Sequence, residues 1–184
     1  MKVTKEQITA IMPLAKNRVD KYLNYINGYA ESFGINTPMR MAHYLAQIAH
    51  ESSELRYTKE LASGKAYEGR KDLGNVKAGD GVKFKGRGLI QITGRANYSA
   101  YMQFCKFDVV STPELLERPL GAVKSSMWYW KNHGLNELAD KDDVLAITKV
   151  INGGKNGLED RKQYLERAFK VFGLHHIEKK GGGK

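Results

Sequence analysis

Cysteine is nearly absent from this chain: one residue, Cys105, stands among 184. That excludes an internal disulfide framework and a cysteine-rich zinc site. Beside Phe104, Phe107 and Met102 the thiol reads as a small packed hydrophobe rather than a nucleophile. Long apolar runs are missing as well. No segment approaches the about 20 apolar residues of a membrane span, and residues 1–6 hold no continuous apolar stretch of the secretory type. The chain is therefore expected in the cytoplasm, reaching any extracellular target only after the membrane has been permeabilised by another agent. Acids are in deficit, with 30 Lys and Arg against 20 Asp and Glu, a net charge of +10. Such a balance favours an anionic partner, whether nucleic acid, membrane surface or acidic polymer. A nucleic-acid-binding protein is the weaker reading, because the lysines are scattered and no recognition motif appears. No internal repeat is present. A chain of this length suits one domain, which would bury about 70% of its unfolded surface, with residues 1–174 as the domain and 175–184 as a basic, disordered tail.

What is present is mostly helical pattern. Thr4 followed by Gln7 resembles a capping box, opening a short helix that ends near Pro13. Val19, Tyr22, Leu23, Ile26, Tyr29, Ala30 and Phe33 recur at three- and four-residue steps up to Gly34, which predicts one amphipathic helix with a glycine cap. Thr37 and Pro38 supply an N-cap and an N1 proline for a helix whose apolar stripe is Met41, Leu45, Ile48 and Ala49, reaching about Ser52. Further helices are expected over 95–105, 119–133, 143–151 and 158–172. Between 62 and 88 glycines punctuate the chain, and a small hairpin is expected, with Val82 and Phe84 on one face and Leu89, Ile90 and Ile92 in the next strand.

Carboxylates placed on this scaffold suggest chemistry. Glu51 falls in the last turn of its helix, where the negative end of the dipole works against a charged carboxylate, a setting suited to a general acid. Glu60 comes nine positions later, past an intervening turn and among lysines and glycines that keep it wet, as a base requires. Two carboxylates in contrasting environments are the minimum equipment for glycosidic cleavage. Glu54 and Glu68 compete for these roles on the same footing, and solvated helix ends are the bland alternative.

Several other readings fail on missing parts. His43, Gln47 and His50 share a helical face, but the second histidine of a zincin motif is lacking and no metal is expected. Gly86, Gly88 and Gly94 lack the spacing of a dinucleotide fingerprint, so no cofactor is expected. Trp128 and Trp130 sit where helix residues pack into a core rather than form a sugar platform.

The ordered set His50-Glu51, Glu60-Leu61-Ala62-Ser63-Gly64, Tyr67-Glu68-Gly69-Arg70, Gly86-Arg87-Gly88-Leu89-Ile90-Gln91-Ile92-Thr93-Gly94 with Asn97-Tyr98, Trp128-Tyr129-Trp130, Ile151-Asn152-Gly153-Gly154 and Asp160-Arg161 resembles glycoside hydrolase family 19 over roughly residues 35 to 173. Within that family the short loops are most similar to phage endolysins and prophage lysozymes. The resemblance implies a mainly α, lysozyme-like fold of two helical lobes around a cleft with a small β-hairpin. It also implies an inverting mechanism in which Glu51 is the acid, Glu60 the base and Thr93 the holder of the attacking water. His50, Gln91, Asn97 and Asn152 fall at substrate-binding positions, with Glu68 and Arg161 in support. In one departure, Ser53-Glu54 stands where many members carry Gly-Gly, which puts an extra acid at the expected cleft mouth.

Charge bears on which polymer is cut. Residues 56 to 95 hold ten Lys and Arg against four acids, a balance of +6, which an uncharged chitin cannot use and the stem-peptide carboxylates of peptidoglycan can. The expected activity is therefore a monomeric endolysin cleaving the β-1,4 bond between N-acetylmuramic acid and N-acetylglucosamine, with a chitinase as the alternative. Residues 161 to 184 carry a further balance of +5, read either as solvated surface or as a patch for anionic outer-membrane lipid.

Overall fold

The hydroxyl of Thr4 accepts from Gln7 N–H at 3.2 Å while Gln7 Oε1 accepts from Thr4 N–H at 2.9 Å. This reciprocal capping box starts α1, Lys5–Ile11. The computed structural model describes residues 1–177, and residues 178–184, most of the expected basic tail, lie outside them. The remaining helices are α2 Leu23–Tyr29, α3 Pro38–Glu51, α4 Asp80–Lys83, α5 Arg95–Cys105, α6 Pro119–Asn132, α7 Leu135–Asp140, α8 Val144–Asn152 and α9 Leu158–Phe172, making nine among the described residues.

The most extensive pairing joins α3 to α9, with α1 lying on α9, α2 on α6, and α7 linking α3, α6 and α8. Met41, Leu45, Ile48 and Ala49 face that core as the period predicts, and nine consecutive residues from Met41 to Ala49 are buried. A helix enclosed on all sides must satisfy its polar members internally. It does so in part: Tyr44 shares a 2.6 Å hydrogen bond with Ser126, and His43 meets Asp142 at 2.9 Å. Trp128 and Trp130 are core residues, and the Trp130 indole N–H donates to Asn136 Oδ1 at 2.8 Å.

Three expectations change. The single helix predicted over residues 19–33 is α2 flanked by 3-10 turns at Val19–Lys21 and Glu31–Phe33, although Val19, Tyr22, Ile26, Ala30 and Phe33 all face the core and Gly34 caps the run at φ 75°. The period therefore identified the buried face and not the tightened turns that carry it. Second, the helix expected over 119–133 is followed at once by an unexpected one, α7, with Gly134 at φ 66° as its N-cap directly after the α6 C-cap His133.

Third, no β-hairpin occurs among the described residues. Val82 lies in α4 with Phe84 as its C-cap, and the extended structure amounts to two isolated antiparallel bridges, Lys59 with Arg87 and Arg87 with Ile92. The reason is tertiary. Glu68 accepts from Gly79 and Gly81 N–H at 2.6 and 2.8 Å, and Asp80 takes both Nε and Nη2 of Arg95 at 2.8 and 2.5 Å. These bonds wind the segment into a turn of helix that alternation alone could not reveal.

Candidate active site

Glu51 is the last residue of α3, and the chain then reverses through three successive non-glycine residues in the left-handed region: Ser53 (φ 49°), Glu54 (57°) and Leu55 (64°). Each costs about 1–2 kcal/mol, so the turn must be held from outside. Ser52, fully buried, donates its hydroxyl to Ile48 O and accepts Leu55 N–H at 2.8 Å. Glu54 N–H bonds Ala49 O at 2.7 Å, Leu55 is buried, and Arg18 Nε donates to Glu54 O at 3.2 Å. The positive φ angles give a physical reason for Gly-Gly in the family pattern at this point, where Ser53-Glu54 stand here.

The acid expected at the cleft mouth is inside the protein. Glu54 is 5% exposed and accepts from Leu14 N–H at 2.5 Å and Tyr164 O–H at 2.9 Å. It fastens the turn to the N-terminal region and to α9. Burial, then the Glu54 carboxylate, pushes the Tyr164 phenol up.

Glu51 itself meets α9. Arg161 is wholly buried, donates Nη1 to Gln47 Oε1 and Nη2 to Glu51 Oε1, each at 2.5 Å. Oε1 is thereby engaged, while Oε2 has no hydrogen-bond partner among the described residues. The Tyr129 phenol is raised by burial and then by the nearby Glu51 charge. His50 turns the other way, its Nδ1 2.7 Å from Asp160 Oδ2. Its ring lies so close to the chain that a Cβ on Gly157, φ 72°, would sit 2.2 Å from Cε1. Only glycine allows that approach.

Glu60 belongs to a different wall. Its backbone N–H bonds Gly86 O at 2.8 Å, Gly88 N–H bonds Thr58 O at 2.8 Å, and Arg87 exchanges two bonds with Ile92 at 3.1 and 2.8 Å. Three strands of chain are so laid side by side without a hairpin. Arg87 pins them from below, buried and bonded to Glu117, Lys83 O and Tyr98 O–H at 2.8, 2.7 and 3.1 Å. The Glu60 carboxylate accepts from Tyr67 O–H at 2.9 Å and Gly86 N–H at 3.0 Å, one donor to each oxygen. Tyr67 is raised by burial and then by Glu60.

Gln91, at φ 63°, donates Nε2 to Gly88 O at 2.9 Å, and its Oε1 with Glu60 Oε2 borders the space above Gly86. Thr93 Oγ1 donates to Gln91 O at 3.0 Å, and Asn97 Nδ2 donates to Thr93 O at 2.8 Å. Gln91, Thr93 and Asn97 thus form one bonded group, and Glu60 borders it across Gly86 without a hydrogen bond to it. Glu68 is apart from it, both oxygens taken by the α4 amides. Asn152 is exposed at the end of α8 with no side-chain partner among the described residues.

Sequence reading quoted Tyr67 and Gly86 in the family pattern but gave them no part in holding Glu60, which both do, and treated Gln47 only as a metal candidate. Gln47 lies one turn before Glu51 on the same face, and that spacing was the available signal.

No protein-family model matches the chain. A glycosyl hydrolase family 19 domain-containing protein from Haemophilus influenzae is 34% identical, across 79% of this chain and 86% of that protein. An endochitinase from Arabidopsis thaliana is 33% identical over 79% of this chain and 53% of its own length, and one from Pisum sativum 25% identical over 80% and 58%. This chain therefore spans a little over half of those plant proteins. Chitinase C from Streptomyces griseus superposes with a TM-score of 0.77 at 20% identity, over 96% of this chain and 95% of that one. The class IV chitinase from Zea mays gives 0.65 at 21%, over 96% and 84%; at these identities the likeness is one of fold. The protein is a glycoside hydrolase with a mainly α, lysozyme-like architecture. It belongs to family 19, and its resemblance within that family is to chitinases.

Proposed function

We propose that the protein is an endo-acting glycosidase that cleaves β-1,4 bonds between N-acetylated hexosamines with inversion. The observation that carries this is the contrast between two carboxylates. Glu51 has one oxygen held by a buried guanidinium and the other without a partner, while Glu60 has both oxygens oriented by neutral donors. Glu51 Oε2 then carries the proton given to the glycosidic oxygen as the C–O bond breaks. Water adds to the anomeric carbon from the opposite face, passing one proton to Glu60. Inversion needs the two groups about 6.5–9.5 Å apart, wide enough to admit that water.

Thr93 fits as the second holder of the water. Its own hydroxyl proton is committed to Gln91 O, which leaves its lone pairs to accept the other water proton. The nucleophile's remaining lone pair is thereby aimed at the sugar. His50, Gln91, Asn97 and Asn152 bind the chain, the last with an unengaged amide.

Chitin-type polymers are the substrates suggested by the names of the relatives. Peptidoglycan, cut between N-acetylmuramic acid and N-acetylglucosamine as in an endolysin, is favoured by a separate observation. Of the ten cations in residues 56–95, Lys59, Arg70, Arg87 and Arg95 are neutralised by carboxylates. Arg56, Lys65, Lys71, Lys77, Lys83 and Lys85 have no carboxylate partner among the described residues. The positive field is smaller than composition implies, yet apart from Arg56, which sits by the turn after Glu51, it survives on the segment that holds Glu60, where an anionic polymer gains and a neutral one does not. Mass spectrometry of products from purified peptidoglycan and from defined chitin oligomers decides between them. Release of muropeptides with an intact disaccharide supports the wall reading, and turnover of chitin oligomers alone refutes it.

A further inference from the structure

Beside Glu51 lies a depression of about 440 Å³ whose lining shares only His50 with the groups assigned above to the glycan. Its floor is the last turn of α3, Ala49 and His50. One wall is the left-handed turn with Ser53 and Arg56, and the other is Leu14 and Arg18. Leu14 is 74% exposed, an apolar lip on an otherwise polar hollow.

The charges of this hollow are unevenly spent. Its two acids are engaged: Glu54 by Leu14 N–H and Tyr164 O–H, Asp160 by His50. Its two arginines have no carboxylate partner among the described residues. Arg18 donates only to the backbone carbonyls of Leu14 and Glu54, and Arg56 lies over the Tyr57 ring with its carbon 5.0 Å from the centroid. Arg56, with no side-chain hydrogen bond, and Arg18, with Nη1 still unengaged, lie next to an exposed leucine and match a short peptide that carries acid groups and small apolar side chains.

We propose that this depression is a subsite for the stem peptide of peptidoglycan, with Arg56 and Arg18 binding its carboxylates. The inference rests on the peptidoglycan reading and deepens it. The peptide hangs from the muramic acid ring through its lactyl group, so a ring placed against Glu51 delivers the peptide close to His50, the adjoining residue. Chitin has no substituent to occupy the hollow. The shared chemistry, a carboxylate, has a second source in the lactyl group once its amide to the peptide has been hydrolysed.

The test compares two forms of one polymer: glycan strands bearing their peptides, and the same strands stripped by an amidase, whose hydrolysis of the lactyl amide leaves a lactyl carboxylate in the peptide's place. Arg56→Gln breaks no hydrogen bond within the protein. It should raise KM for the peptide-bearing strand roughly fivefold relative to the stripped strand, the scale of one exposed charge-assisted contact. The difference between wild type and variant should shrink as salt screens it. Arg18→Gln is the second variant; a fall in its melting temperature would reflect the bonds it makes to the left-handed turn, and Arg56→Gln keeps the test intact. An equal rise in KM on both strands assigns the arginine to structure, a larger rise on the stripped strand assigns it to the lactyl carboxylate, and either overturns the subsite. Unchanged KM on peptide-bearing strands that the wild type cleaves overturns it as well. A wild type that hydrolyses chitin oligomers and neither wall polymer overturns the peptidoglycan reading, and the subsite falls with it.

Discussion

Arg161 Nη2 meets Glu51 Oε1 at 2.5 Å from a position wholly closed to solvent, so the proposed acid is held by a charge that water cannot replace. Glu51→Gln keeps the shape and an acceptor oxygen but removes the transferable proton of the protonated form and the charge partner that the ionised form gives Arg161. Turnover should fall roughly 10²- to 10⁴-fold, the share of general acid catalysis. Stability should also fall, by about 1–3 kcal/mol, because the buried guanidinium keeps only neutral partners. Near-wild-type hydrolysis by folded Glu51→Gln protein would remove Glu51 from the reaction.

Glu60 and Glu68 separate cleanly by what holds them. Glu60→Gln should be almost as inactive as Glu51→Gln, with little change in melting temperature, since Tyr67 and Gly86 can still donate to the amide oxygen. Glu68→Gln weakens two amide bonds at the start of α4 and should lower the melting temperature while leaving activity per folded molecule within about threefold of wild type, as for a group remote from the bond-breaking step. The reverse pattern, with Glu68→Gln dead and Glu60→Gln active, means that the base has been misplaced.

Thr93→Val keeps the branched shape and deletes the hydroxyl that bonds Gln91 O. If that oxygen positions the nucleophile, kcat should drop by about 10²-fold with KM little changed. A purely structural threonine predicts a lower melting temperature and full activity per folded molecule.

The left-handed turn after Glu51 offers a stabilising change. Ser53 sits at φ 49°, is exposed, and makes no side-chain hydrogen bond among the described residues. Ser53→Gly relieves about 1–2 kcal/mol of local strain and costs about 0.5–1 kcal/mol of chain entropy. A gain of up to about 1 kcal/mol in unfolding free energy is expected from denaturant melts. A loss would show that the serine makes contacts outweighing its strain.

The parts of the fold that the sequence disclosed are those written in local signals. Leucine, alanine and phenylalanine spacing with Gly173 behind it is enough for α9, and Thr37-Pro38 is enough for the start of α3. Hidden features depend on partners distant in the chain. Val82 and Phe84 alternate like a strand, and Glu68, Asp80 and Arg95 override them. Gly134 reads as a stop and is also a start. At the site, the identities of Glu51, Glu60, Gln91 and Thr93 come from a resemblance, whereas Glu54 could not be placed from composition, because its burial is set by Leu14 and Tyr164. Net charge misleads for a related reason: the balance of residues 56–95 cannot show that Lys59 and Arg87 are met from outside the segment by Glu117.

His176 ties the first residues of the expected tail to the domain. Its Nδ1 lies 2.6 Å from Asp142 Oδ2 and its Nε2 2.7 Å from Glu166 Oε1, with its ring 4.3 Å from that of Phe169; Asp142 also faces buried His43. Burial works against the charged imidazole, but Asp142 and Glu166 outweigh it and raise His176 above its ordinary 6.5. A group raised on folding contributes its stability in full below its unfolded value and loses it as pH climbs through the folded one. The melting temperature of wild type should therefore exceed that of His176→Ala most below pH 6.5, and the gap should narrow steadily on the alkaline side. Truncation after Leu174 should match His176→Ala or exceed its loss, since it also removes the Ile177 N–H bond to Asp142, 3.1 Å. A gap that stays constant with pH would mean that His176 holds the segment by packing on Phe169 alone. In either case the residues from 175 to 177 act as part of the domain, so a deletion meant to probe only the basic tail should begin at Glu178.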